Sequence, residues 1–342
     1  MKMKDILGNI KHKLKVKLIR IEQLFKKSSV SSVKPIFIWG LGRGGTTLLM
    51  DIFSLHDDLC YSYTKGKRQK KGLWGDLHYK ENDFKINKKE IPVEGLIRNW
   101  NNTGYDFSNF NREIKRDFLN SSQKKIVKKN YATLKQSWFF SQNKKKYRIM
   151  DKAGYIIMVD LIDDIFPDAF HIFSIRDPRN VINSIMRLIR FTQAKTTGLQ
   201  WKKGVEAYKF DGWEEIKNKG THQILSWQIC KALEIGFDWK KKLGQRCIVW
   251  RHEYLYKNPK ENISKLFEKV DLPVNSDFLE KIPPSFKDYS TSWPRKVSKF
   301  KATFDFCFNS KEFEEIKIIE RKAIELGYDK KVAGKLCDYK FI

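Results

Sequence analysis

The chain has 342 residues, 41% of them hydrophobic and 14% aromatic, enough to build a buried core and too much for a disordered or collagen-like chain. Lys and Arg number 68 against 40 Asp and Glu, a net charge of +28, which suits nucleic acid, an anionic membrane surface, small anionic ligands, or simply a lysine-rich solvated surface. No apolar run approaches the roughly 20 residues of a bilayer span, so no transmembrane helix is predicted.

Cys60, Cys230, Cys247, Cys307 and Cys337 are odd in number and far apart, a pattern that predicts neither a disulfide framework nor a zinc site. Lysines interrupt the N-terminus too often for a secretory signal, and a reducing, cytoplasmic setting is expected. Residues 3–27 place Leu7, Ile10, Leu14, Leu18, Ile21, Leu24 and Phe25 at helical spacing among lysines, which predicts a basic amphipathic helix. Such a helix packs on its own domain or a partner, or makes a peripheral membrane contact. With the serine-rich stretch after it, this gives a division into residues 1–32 and a main domain of residues 33–342.

Ile36-Phe37-Ile38-Trp39 reads as a short apolar strand, followed by Gly40-Leu41-Gly42-Arg43-Gly44-Gly45-Thr46-Thr47 and a helix entered at Leu48. Residues 62–145 are polar and Lys-rich and read as a mixed, mostly helical insertion. A second strand is predicted at Phe170–Ile175, stopped by Arg176-Asp177-Pro178-Arg179, with Pro178 suited to the first turn of the helix that follows. A helix over about 224–242 leads to a third strand at Cys247–Trp250. Strands alternating with helices predict an α/β fold, a three-layer P-loop-like parallel sheet flanked by helices, with ligands at the carboxyl ends of the strands.

The segment Gly40–Thr47 nearly spells the Walker P-loop, but Thr46 stands where its lysine belongs. Glycines there let backbone N–H groups close around a phosphate at a helix N-terminus. Without the lysine a triphosphate hydrolase is disfavoured, and Arg43 brings a cation into the loop instead. A glycine turn with no ligand is the plainer alternative.

Gly42-Arg43-Gly44-Gly45-Thr46-Thr47-Leu48-Leu49 resembles the 5′-phosphosulfate loop of sulfotransferases that use 3′-phosphoadenosine 5′-phosphosulfate, commonly P-[RK]-S-G-T-T-L-L, with Gly42 for Pro and Gly44 for Ser. Arg176-Asp177-Pro178-Arg179 with Ser184 resembles that family's R-D-P-R-x-x-x-x-S motif for the 3′-phosphate. Met150-Asp151-Lys152, Phe166-Pro167-Asp168-Ala169 and Trp250-Arg251-His252-Glu253-Tyr254-Leu255 resemble further elements in order, His252 replacing Tyr and Tyr254 replacing Asp. Arg295, Lys296, Lys299 and Phe300 lie in a stretch similar to the family's nucleotide-closing segment, Phe300 standing for the usual Trp.

The resemblance implies in-line sulfuryl transfer to an acceptor hydroxyl or amine, leaving adenosine 3′,5′-bisphosphate, with no metal. Catalytic roles fall on Arg43 and Lys152. Nucleotide binding falls on Arg43, Gly44, Gly45, Thr46, Thr47, Arg176, Ser184, His252, Arg295, Lys296, Lys299 and Phe300. The family's glutamate base is missing, since the position eight residues after His56 holds Thr64; Asp76 and His78 are the substitutes, His78 favoured by its near-neutral ordinary pKa. His56 reads as a helix-end residue, and His171 and His222 as local packing or hydrogen-bonding residues. Carbohydrate is the leading acceptor class. A protein tyrosine or small-molecule alcohol stays open, as do a P-loop kinase and, on charge alone, a nucleic-acid-binding protein, although no specific nucleic-acid motif is found.

Overall fold

A computed structural model describes residues 30–56, 58–61, 113–132, 147–152, 156–191, 200–201, 205–206, 208–284, 286, 317–331 and 335–336. The helix expected over residues 3–27 lies outside them, as does most of the expected insertion.

Five parallel strands form the central sheet: β1 (Val30–Gly40), β2 (Leu59–Tyr61), β3 (Tyr147–Lys152), β4 (Phe170–Ile175) and, after the two-residue strands β5 (Gln200–Trp201) and β6 (Val205–Glu206), β7 (Cys247–Arg251). Their spatial order is β2-β3-β1-β4-β7. Central strands of such a sheet are covered on both faces and read as continuous apolar runs rather than alternating ones. Ile36, Phe37, Ile38 and Trp39 are all fully buried. Phe37 and Trp39 join one core cluster and Ile36 and Ile38 the other, so the strand's period of two divides its run between two helical layers.

The helices are α1 (Thr46–Phe53), α2 (Ser121–Ala132), α3 (Val159–Ile165), α4 (Pro178–Phe191), α5 (Trp213–Ile216), α6 (Thr221–Leu243), α7 (Pro259–Lys269), α8 (Ser276–Glu280) and α9 (Lys317–Glu325). Residues of α3, α4, α6 and α9 pack in the cluster with Phe37; those of α1, α7 and α8 pack in the cluster with Ile36. In α6, Leu225, Ile229, Leu233, Gly236, Trp239 and Leu243 are buried at three- and four-residue intervals, the stripe that lays a helix along a sheet. It stops at Gly244, whose φ is +57°, while Lys240 donates to the carbonyls of Gly244 and Cys247 at 3.1 and 2.6 Å. No helix among the described residues is long and apolar enough to cross a membrane.

The chain leaves β1 through α1 on one face and leaves β4 through α4 on the other, and the two strands are neighbours. This is a topological switch point, where a crevice opens at the carboxyl ends of the strands.

Two sequence readings need correction. β1 begins at Val30, inside the expected linker, because Val30 and Ser31 pair with Tyr147 and Arg148 before a register shift at Ile36. Backbone ladder bonds do not require apolar side chains, so the serines conceal this end. Strands β2 and β3 were not expected at all; β2 is only Leu59–Tyr61, and β3 carries Arg148, Asp151 and Lys152 among its apolar residues.

Candidate active site

At the end of β1 the chain turns from strand to helix within Leu41–Gly45. The Gly44 N–H closes the turn on the Leu41 carbonyl at 2.9 Å, and the Ser174 hydroxyl of β4 donates to the Gly44 carbonyl at 2.9 Å. Arg43 has φ +72° and Gly45 φ +92°, so the loop passes twice through left-handed geometry. Glycine is required at position 45 twice over: for that φ, and because a Cβ there would lie 2.3 Å from His252 Nδ1. Gly45 caps α1 with no side-chain acceptor, which leaves first-turn N–H groups turned toward the loop and ready for an anion.

Around this cradle the sequence-predicted residues gather from four strands. Arg43 Nε donates to Ser184 Oγ of α4 at 2.9 Å, tying the β1 loop to the helix after β4. Lys152 ends β3, opposite Ile38, and its Nζ donates to Thr47 Oγ1 at 3.1 Å. Thr46 is buried, its Cγ2 turned toward Gly40. The position that a Walker lysine would occupy therefore faces the sheet.

Arg176 follows β4. It bonds the Tyr256 side chain, while its Nε is buried with no hydrogen-bond partner among the described residues. His252 follows β7, buried against Gly45 with an edge-on contact to the Tyr256 ring at 5.4 Å and Nδ1 without a partner. Burial, with Arg176 beside it, pushes the His252 pKa down to about 3, so the imidazole is neutral. A neutral ring under the loop adds no second cation and keeps one nitrogen able to donate.

Below Arg176 lies a set of residues to which the sequence reading gave no role. The Asp177 carboxylate is fully buried and accepts from the backbone N–H, Nε and Nη2 of Arg179 at 2.9, 3.0 and 2.8 Å. The Asp177 N–H donates to Glu253 Oε1 at 3.0 Å. Glu253 is buried, and burial raises its pKa to about 6 against the opposing pull of that N–H and of Arg176. Nothing local marked it: Glu253 follows Arg251 and His252 in a stretch of mixed polarity.

Three further histidines lie away from the loop. His56 lies three residues past the end of α1 with Nε2 2.7 Å from the Pro273 carbonyl, and His171 accepts from Trp39 Nε1 at 3.2 Å, its pKa pushed down to about 3 by burial. His222, at the start of α6, has a carbonyl that accepts from Ser226 Oγ at 2.7 Å. Asp76, His78, Arg295, Lys296, Lys299 and Phe300 lie outside the described residues.

Sheet order, crossovers and the loop at the switch point place the protein in the three-layer, P-loop-like α/β class. The model of the sulfotransferase family matches residues 35–276. The chain belongs to that family and is an enzyme that transfers a sulfuryl group. Among solved structures, sulfotransferase STF9 from Mycobacterium avium shares the fold, with a TM-score of 0.51 at 13% identity over 93% of this chain and 82% of that one. The sulfotransferase domain of the Synechococcus PCC 7002 olefin synthase is more distant, at TM-score 0.43 and 15% identity over 87% of this chain and 96% of that one. So is mouse sulfotransferase SULT7A1 complexed with PAP, at TM-score 0.42 and 10% identity over 85% and 84%. No curated protein matches the chain.

Proposed function

We propose that the sulfuryl donor is 3′-phosphoadenosine 5′-phosphosulfate and that the acceptor is a carbohydrate hydroxyl or amine. The observation that carries this reading is the bridging of the two loops, Ser174 to Gly44 and Arg43 to Ser184, which sets Arg176 and the glycine cradle side by side. The residues fit a ligand with phosphate at both ends: open N–H groups and a glycine-bounded loop at one end, and a buried guanidinium Nε without a partner at the other.

When bound, the donor supplies SO3 on a phosphate oxygen. Gly44, Gly45, Thr46 and Thr47 offer backbone N–H groups to its 5′ end, and Arg176 meets the 3′-phosphate with paired N–H donors. Ser184 orients Arg43 rather than meeting the nucleotide first. Arg43 and Lys152 stabilise the negative charge that grows on the bridging oxygen, and Thr47 holds Lys152 toward it; donors fixed in this way need no reorganisation during reaction. His252 supports the loop from below as a neutral ring. Asp76 or His78 takes the acceptor proton, and Arg295, Lys296, Lys299 and Phe300 close over the nucleotide. The scattered cysteines keep the cytoplasm as the proposed location, with residues 3–27 as the proposed membrane or partner contact.

Incubation with donor labelled with radioactive sulfur and a panel of oligosaccharides, tyrosyl peptides and small alcohols tests this. Label on oligosaccharide is expected. Label confined to peptides or alcohols overturns the acceptor class, and no transfer to any acceptor overturns the donor.

A further inference from the structure

The R-D-P-R turn is fastened from a part of the chain beyond the family match, which ends at residue 276. Helix α9 docks through Ile319 and Ala323, both fully buried, with Ile319 in the cluster shared with α4 and α6. Its exit carries Tyr328, 1% exposed, to the turn, where the phenol donates to Glu253 Oε2 at 2.9 Å. The other oxygen of Glu253 holds the Asp177 N–H. One buried carboxylate thus joins the C-terminal segment to the residue next to Arg176. A second tie runs in parallel, since Arg179 Nη1 donates to the Lys330 carbonyl at 3.2 Å while its Nε and Nη2 grip Asp177. The Arg251 guanidinium lies over the Tyr328 ring at 5.3 Å and fixes the tyrosine from the strand side.

We infer that Tyr328 and Glu253 are positioning residues for the 3′-phosphate site, a C-terminal buttress that holds the Arg176 turn in its binding geometry through Tyr328–Glu253–Asp177.

The physical argument has two parts. Arg176 begins where β4 ends, so no ladder bond fixes its backbone beyond Ile175, and the turn depends on side-chain acceptors for its rigidity. A guanidinium must present its N–H pair in a set plane to bind phosphate bidentately, so a small loosening of its backbone is felt in affinity. Removing the Tyr328 hydroxyl leaves a buried carboxylate oxygen without its donor, the costly kind of loss. The charged and titratable groups facing Glu253 are Arg176 and Asp177 on the turn and Tyr328, with Arg251 behind it.

This inference rests on the reading of Arg176 as the 3′-phosphate residue, and the test separates the two. The full chain is titrated calorimetrically with adenosine 3′,5′-bisphosphate and with adenosine 5′-phosphate. Arg176→Ala is expected to erase the preference for the bisphosphate. Tyr328→Phe is expected to weaken the bisphosphate about 5–10-fold, the equivalent of one lost buried hydrogen bond, while the monophosphate stays within about twofold. Glu253→Ala should lose at least as much, and Glu253→Gln should restore affinity to within about threefold, because its amide can accept from Asp177 and donate to the Tyr328 oxygen. Wild-type affinity for the bisphosphate in Tyr328→Phe, or an equal loss for both nucleotides as a general destabilisation would give, overturns the buttress and leaves the Arg176 reading standing. A bisphosphate preference that survives Arg176→Ala overturns that reading and the buttress with it.

Discussion

The loop after β1 and the turn after β4 sit side by side at the switch point, yet they are built on opposite principles. The loop is made of backbone: glycines, left-handed residues and open N–H groups at the start of α1. The turn is made of buried charge: Asp177, Arg179, Glu253 and Arg251, all at most 8% exposed, with Arg176 above them. A backbone cradle is specified by a few neighbouring residues and has few ways to fail. A buried charged network is specified only when residues 177, 179, 253 and 328 arrive together, and it is expensive if any partner is missing.

Substitutions sharpen this contrast. The largest effect is expected at Lys152, the cation that the end of β3 brings to the loop at Thr47. Lys152→Ala should lower kcat about 10²–10³-fold, as loss of one transition-state donor does, with less change in donor KM; a proportionate rise in KM with kcat preserved would move Lys152 from catalysis to binding. Next comes Arg176→Ala, expected to weaken adenosine 3′,5′-bisphosphate about 10–100-fold, the range for a charge-assisted hydrogen-bond site, and measured by calorimetry.

The turn should also show itself in pH. The Glu253 pKa is raised from 4.5 to about 6, so the folded state holds a proton that the unfolded chain has released between those values. Its favourable contribution is complete below pH 4.5 and is lost as pH rises through 6. The loss is on the order of 2 kcal/mol. Glu253→Gln cannot titrate, so urea unfolding at pH 4.5 and 7 should show a smaller decline in its stability than in the wild type's. Parallel declines would place the proton elsewhere. In the loop, Gly45→Ala meets both a left-handed φ of +92° and a Cβ 2.3 Å from His252 Nδ1; the backbone conformation alone should cost about 1–2 kcal/mol and the contact adds to it, read from the midpoint of denaturant unfolding. No change would mean that His252 and the loop relax freely.

The same contrast explains what the sequence made legible. Gly40–Thr47 could be read because strand, glycines and helix start are consecutive, and within it Arg43 meets Ser184 while Thr47 meets Lys152. Strands β1, β4 and β7 could be read because burial of their side chains writes largely apolar runs. Strand β3 was hidden by the charged residues that its carboxyl end contributes to the site. Glu253 and Tyr328 were hidden because a carboxylate and a phenol 75 residues apart carry no local pattern. Asp177 and Arg179 were seen as parts of a motif, but their pairing is a property of the folded turn.

The central claim is that these two differently built ends hold one nucleotide with phosphate at both of its ends. Thermal unfolding of the full chain, titrated with adenosine 3′,5′-bisphosphate and separately with ATP and Mg²⁺, tests it most directly. The account predicts strong stabilisation by the bisphosphate, about 2.7 kcal/mol at 100 times its dissociation constant, and little by ATP–Mg²⁺ at the same concentration. Equal or greater stabilisation by ATP–Mg²⁺ would contradict it.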